Sequence, residues 1–209
     1  MATKEEKFWS SGFGSEYLER NKFSNKGLDR LYLDKFGISR SKLNKEFLAK
    51  LKIKNILEVG CNIGNQLALL QSQGFKNLYG IDIFPEAVQI AKSHTKNINI
   101  IQGSAFDIPF KDNYFDLIFT AGVLIHISPK EVKNAMTEIY RTSKKYIWGY
   151  EYHNPKYVSV DYRRNKAKLW KGDFCQMYLN LFPDLKIVKR KKLKYLNSDN
   201  YDEMFLLKK

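Results

Sequence analysis

Ile56-Leu57-Glu58-Val59-Gly60-Cys61-Asn62-Ile63-Gly64-Asn65 is the stretch on which the fold turns. A short apolar run carrying one acid gives way to two glycines, and Asn65–Gln73 then reads as a helix. A buried strand followed by a glycine-containing loop that opens a helix belongs to an open α/β sheet, whose ligands bind at the carboxyl ends of the strands. Gly60 and Gly64 let the backbone turn and come close to such a ligand. Working outward, strands are predicted at Asn55–Val59, Asn77–Ile81, Ile98–Gln102, Phe115–Thr120 and Lys144–Tyr150. Helices are predicted near Pro85–His94 and Pro129–Thr142, the latter with Ser128-Pro129-Lys130-Glu131 as a capping box.

The ends of the chain read differently. Ser15–Phe36 sets Tyr17, Leu18, Phe23, Leu28, Leu31, Tyr32 and Phe36 on a helical face, and Ser39 offers a cap for a helix to Leu51. Glu151–Gly172 is polar, aromatic and irregular, Asp173–Leu181 is helical, and Leu185–Lys192 with Asp202–Leu207 predicts a hairpin at the sheet edge. The expected architecture is Rossmann-like α/β: seven strands, mostly parallel, with an antiparallel edge strand. Residues 1–52 form a helical arm or lid on the domain over residues 53–209.

The loop is not the dinucleotide pattern G-x-G-x-x-G, because positions 62 and 65 are both Asn. Glu58 beside the loop suits a ligand with an ammonium and a sulfonium, as in S-adenosylmethionine (SAM), better than a pyrophosphate. Asp82, 18 residues beyond Gly64, closes the second strand where a carboxylate can accept both ribose hydroxyls. Ile83 and Phe84 offer apolar surface to the adenine; Gly103-Ser104-Ala105-Phe106 lies opposite, and Ala121-Gly122 lines the methyl-transfer pocket. Glu58-x-Gly60-x-x-x-Gly64, Asp82, and Asp107-Ile108-Pro109-Phe110 followed by Phe115-Asp116 resemble the successive motifs of class I SAM-dependent methyltransferases. The resemblance implies SAM contacts at Gly60, Asn62, Asp82, Ser104 and Ala121, with S-adenosylhomocysteine as product. Tyr17, Glu58, Cys61, Gly64, Ile83, Ala105, Phe106 and Gly122 complete the expected cofactor set. Two positions depart from the pattern: Asn62 replaces a middle glycine, as its tolerance of left-handed backbone allows, and Ser104 stands where an acid is usual.

The flanks bear on the acceptor. Phe8–Asn21, Glu151-Tyr152, Val160-x-Tyr162-Arg163 and Leu169-Trp170-Lys171-x-Asp173-Phe174 are similar to the flanks of methyltransferases associated with pseudaminic acid biosynthesis. That resemblance implies a surface-glycan or capsule role and a small acidic or sugar-derived substrate, methylated on oxygen or nitrogen. Phe8-Trp9 and Phe13-Gly14 read either as a glycine-hinged lid with Tyr17 toward the methionine end, or as a helix packed on the sheet. His126, Glu151 and His153 are the candidate bases, and His126 reads equally as a loop anchor. Trp9, Tyr152, Tyr162 and Arg163 are the candidate substrate contacts, with Arg164 and Lys168 nearby, though ordinary exposed loop explains the basic group as well.

Composition narrows the classes. The 209 residues, 44% hydrophobic and 28% charged, suit one globular domain and exclude a disordered chain. No run reaches the length of a membrane helix. The acid-bearing start Met1-Ala2-Thr3-Lys4-Glu5-Glu6 does not read as a signal peptide, so a cytoplasmic protein is expected. The two cysteines, Cys61 and Cys175, have no neighbour at metal-ligand spacing, and no metal is expected. The net charge of +14 draws anions of any kind, yet it rests on 29 Lys against 7 Arg. The dense run Lys189-Arg190-Lys191-Lys192 reads as the solvated part of a strand, with a polyanion patch as the alternative. An RNA or protein methyltransferase is the second reading. Against it, strand four ends in Thr120-Ala121-Gly122-Val123, not in the polar-Pro-Pro-aromatic clasp of many enzymes that methylate nucleic acid. A SAM-binding regulator without catalysis is the third.

Overall fold

The computed structural model describes residues 3–162 and 165–209. Seven strands form one sheet: β1 (Asn55–Val59), β2 (Asn77–Asp82), β3 (Asn99–Gln102), β4 (Phe115–Ala121), β5 (Ser143–His153), β8 (Lys186–Lys194) and β9 (Tyr201–Lys208). Their order is β3-β2-β1-β4-β5-β9-β8. The first five strands are parallel to one another, and β9 runs antiparallel between β5 and β8. The Rossmann-like sheet expected from the sequence is therefore present, closed at one edge by the late hairpin.

Period-two alternation sends neighbouring strand residues into different cores. Ile56, Leu117 and Leu206 join one cluster, while Leu57, Ile118 and Phe205 join the other. The first face is covered by α3 (Asn25–Phe36), α4 (Arg40–Leu48), α5 (Asn65–Ser72) and α6 (Pro85–His94), the second by α7 (Val132–Thr142) and α8 (Phe174–Leu181). Because both faces are buried, β4 is a near-continuous apolar run. Its one acid, Asp116, accepts the backbone N–H of Lys54 at 2.8 Å and the Lys145 ammonium at 2.9 Å, tying β4 to the start of β1 and to β5.

Three local expectations differ from what forms. The helical run predicted over Ser15–Phe36 breaks into α2 (Gly12–Arg20) and α3, because the Ser24 side chain caps a new helix by accepting from the Gly27 N–H. Ser128–Glu131 makes no capping box: α7 starts at Val132, and the Ser128 carbonyl accepts the Glu131 and Val132 N–H groups instead. The capping box that does form joins Thr3 and Glu6, at the head of α1 (Lys4–Trp9). Among the described residues of 151–172, expected to be irregular, β6 (Val158–Tyr162) and β7 (Asn165–Lys171) pair antiparallel outside the main sheet. Among the described residues no helix is long and apolar enough to cross a membrane.

Candidate active site

The loops at the carboxyl ends of β1, β2, β3, β4 and β5 surround a cavity of about 540 Å³, which the N-terminal arm also lines. After β1 the backbone is left-handed at Gly60 (φ 70°), Asn62 (φ 49°) and Gly64 (φ 83°). A methyl group at Gly60 would sit 2.6 Å from Val123 Cγ2, so this position is closed to any side chain. Asn62 takes the conformation for which glycine is usual, and its N–H donates to Asp82 Oδ2 at 2.7 Å. The Phe84 N–H donates to Asp82 Oδ1 at 2.9 Å. One carboxylate thus joins the loops after β1 and β2, and it lines the cavity. Burial raises the Asp82 carboxyl, opposed by these N–H groups.

Glu58 projects into the same cavity while only 2% exposed, and its Oε2 is buried without a hydrogen-bond partner. Burial pushes its carboxyl well above the ordinary range; the nearby Arg40 guanidinium pulls it back in part, and Asp82 raises it. A buried acid lacking a partner is destabilising until a donor reaches it. An ammonium-bearing ligand would supply that donor and a ribose would place its hydroxyls on Asp82, so the residues present fit SAM. Ile83, Phe84, Ala105 and Phe106 give apolar walls farther along the sheet edge.

The arm bridges both sides of the opening. Trp9 packs edge-on against His126 at 4.6 Å and against Tyr17 at 5.1 Å. Across the cavity, Gly14 lies against the Phe84 ring, the Ser15 hydroxyl donates to Glu86 at 3.1 Å, and Leu18 packs with Ile63 and Ala87. The arm therefore lines the cavity and also packs on the sheet loops.

Of the expected cofactor set, Tyr17, Glu58, Gly60, Cys61, Asn62, Asp82, Ile83, Ser104, Ala105, Phe106, Ala121 and Gly122 line the cavity. Gly64 does not; it is the left-handed N-cap of α5, packed beneath Thr95. Trp9, Tyr152 and His126 also line it. Glu151 and His153 do not, because alternation along β5 sends Tyr150 and Tyr152 to the cavity and the residues between and beyond them to the other face. The two are not placed to act as bases there. Glu151 instead accepts the N–H groups of Val123 and Ile125, holding the turn after β4, while burial raises its carboxyl to about 7. His153 sits beside Glu203, with Asp173 near; all three offer ligand-type atoms within 4.8 Å, but Arg190 already bonds both carboxylates.

His126 donates its Nδ1–H to the Lys168 carbonyl at 2.9 Å, which leaves the lone pair on Nε2. Burial lowers its pKa to about 4, so the ring is neutral at physiological pH. The Lys168 ammonium lies over the Phe8 ring at 4.5 Å. Arg163 and Arg164 lie outside the described residues, as does the Tyr162 side chain. Of the basic run, Lys189 and Lys191 pair with Glu46 and Arg190 with Glu203 and Asp173, so most of it is neutralised locally.

Several lining residues were not foreseen. Leu28, Leu31, Tyr32 and Lys35 reach the cavity from α3, Tyr150 from β5, and Glu6 from α1. Lys35 is held by Asp202 at 2.9 Å, an acid that also accepts from the hydroxyls of Tyr150 and Tyr195. An amphipathic α3 predicted burial but not which end of the sheet it would meet.

Comparison with known proteins agrees with this geometry. Residues 57–146 match a family described as a methyltransferase domain. The norajmaline N-methyltransferase of Rauvolfia serpentina is 31% identical over 86 residues, 38% of this chain and 30% of that protein. An uncharacterized methyltransferase of Staphylococcus carnosus is 35% identical over 89 residues, 43% of this chain and 42% of that one. The alignments thus span less than half the length of these curated relatives. Among solved structures, the Burkholderia thailandensis 1,6-didemethyltoxoflavin-N1-methyltransferase, bound to that compound and S-adenosylhomocysteine, superposes with TM-score 0.72 at 14% identity. That likeness covers 100% of this chain and 91% of the other. Residues 57–146 therefore match a methyltransferase domain, set in a sheet that shares the fold of the solved methyltransferase.

Proposed function

We propose that the chain transfers the methyl group of SAM to a small molecule held at the arm-covered end of the cavity. The observation that carries this reading is the shared cavity: Glu58 and Asp82 line it together with Trp9, Tyr150, Tyr152 and His126. Its volume of about 540 Å³ falls within the usual range for small-molecule sites. SAM supplies an electrophilic methyl carbon; the acceptor's lone pair takes that carbon as the carbon–sulfur bond breaks, and the bonding pair stays on sulfur. The protein's part is placement. Asp82 and Glu58 fix the donor, the Gly122–His126 turn shapes the acceptor space, and the arm excludes water.

The lining offers no strong base among the described residues. His126 is neutral with its pKa near 4, and burial keeps the Glu58 carboxyl protonated far above its ordinary range. The acceptor is accordingly a group with a lone pair already available at neutral pH, an unprotonated nitrogen or an acidic oxygen. The aromatic lining favours a flat nitrogen compound, and two of the relatives are named for methylating nitrogen in small molecules. An acidic, sugar-derived acceptor in a surface-glycan route is supported by the flanking segments alone. Lys35 is the one cation on the described lining, and it is already engaged by Asp202.

A thermal-shift titration with S-adenosylhomocysteine, then a methyl-transfer screen across nitrogen heterocycles and acidic sugars, tests the proposal. Stabilisation by the product and turnover of a small acceptor are expected. Steeply salt-dependent RNA binding with turnover on RNA only would replace the small-molecule reading.

A further inference from the structure

Three carboxylates line the cavity among the described residues: Glu58, Asp82 and Glu6. The first two belong to adjacent strands, β1 and β2. Glu6 belongs to neither; it comes down from the arm onto Ser104, in the loop after β3, the next strand along. Parallel neighbours are roughly 4.8 Å apart, so the three acids stand in sequence along the sheet edge. A ligand whose ammonium meets Glu58 and whose ribose meets Asp82 carries its purine toward Ser104 and Glu6. Apolar lining is there too, from Phe84, Ala105 and Phe106.

The Glu6 carboxylate is held in place. Its Oε2 accepts the Thr3 N–H at 2.6 Å and its Oε1 accepts the Ser104 hydroxyl at 2.5 Å. Ser104 Oγ in turn accepts the Phe106 N–H at 3.0 Å, so its proton is committed to Glu6. A capping role alone would engage Glu6 with Thr3 and leave Oε1 to solvent; here Oε1 is bound to a residue 98 positions away. Each carboxylate oxygen keeps a second lone pair, so Glu6 can accept one more donor from the cavity.

We propose that Glu6 accepts the exocyclic amine of the adenine, so that the base is read by the arm and not by the sheet loops. This rests on the SAM reading above and deepens it. The consequence is coupling: seating the arm completes the base pocket, and an amine-bearing base favours the seated arm.

The test compares S-adenosylhomocysteine with S-inosylhomocysteine, in which a carbonyl replaces the amine, by calorimetry. The native protein is expected to prefer the adenosyl compound by roughly 10- to 100-fold, the range for a hydrogen bond to a charged group. Glu6→Ala is expected to bring the two affinities within about threefold, mainly by weakening the adenosyl compound. Thr3→Ala removes the cap but keeps the carboxylate, and it should retain the preference. Limited proteolysis supplies a second readout, with adenosyl ligand protecting residues 3–21 in the native protein more than inosyl ligand does. A preference that survives Glu6→Ala, or that Thr3→Ala abolishes equally, overturns the assignment of Glu6. If the native protein binds neither compound, the SAM reading itself falls.

Discussion

Glu151→Gln probes the buried acid that holds the turn after β4. The native carboxylate accepts from Val123 at 3.2 Å and Ile125 at 3.4 Å, and it is 1% exposed. Burial outweighs those donors and raises its pKa from the ordinary 4.5 to about 7. A raised pKa means that the folded chain holds the proton where the unfolded chain has lost it. The stability it contributes is complete below pH 4.5 and is lost as pH rises through about 7. The full displacement corresponds to roughly 3 kcal/mol. Glutamine removes this pH dependence but keeps one acceptor oxygen, turning its amide toward the other N–H at a constant cost of about 1–3 kcal/mol. The variant should therefore be less stable than the native protein near pH 5 and comparable or more stable near pH 8. Urea unfolding followed by circular dichroism at half-unit pH steps measures the difference. Parallel pH profiles would refute the argument, because the Glu151 carboxylate would then be no harder to ionise folded than unfolded.

Asp82→Ala removes the acceptors proposed for the ribose and releases the loop held through Asn62. The stabilisation of roughly 2.7 kcal/mol that S-adenosylhomocysteine gives at ~100 times its native dissociation constant should disappear from the thermal-shift assay. For Glu58, burial favours the protonated form without ligand and an ammonium favours the ionised form, so ligand binding should release a proton and weaken as pH falls. Calorimetry in two buffers of different ionisation enthalpy reads this directly; proton release that persists in Glu58→Gln would assign it elsewhere. Gly60→Ala places a methyl group 2.6 Å from Val123 at a φ of 70°, and it should lower stability by about 2–4 kcal/mol and remove ligand binding. An unchanged melting temperature would show that the two loops part easily. Cys61 lines the cavity but is buried, and burial raises its thiol well above the ordinary range. Its reaction with a thiol reagent should be slow until the chain unfolds, and slower still with S-adenosylhomocysteine bound.

Much of the cofactor end was legible because it is local. A strand, a turn needing positive φ at Gly60 and Asn62, and an acid closing the next strand are properties of short segments. The parallel sheet then brings those segments side by side whatever else the chain does. The left-handed Asn62 and the Asp82 bridge follow from residue type and spacing. Gly64 shows the limit even there: its positive φ was readable, but whether it served the ligand or the helix cap depended on how α5 left the loop.

The acceptor end was not legible, because it depends on which face of an element meets the cavity. Glu151-Tyr152-His153 looked like one cluster at a strand end, yet alternation across β5 sends only Tyr152 of the three to the site. That choice is set by the register of β5 on β4 and β9, which no residue in the tripeptide encodes. Lys35 and Tyr32 arrive from a helix whose pattern predicted burial without saying against what. Glu6 and Ser104 meet across 98 residues. What the sequence determined alone was a strand–turn–helix unit with its left-handed loop. The tertiary structure decided which distant side chains complete the cavity, since strand register and arm docking are cooperative outcomes of packing and not of local spacing.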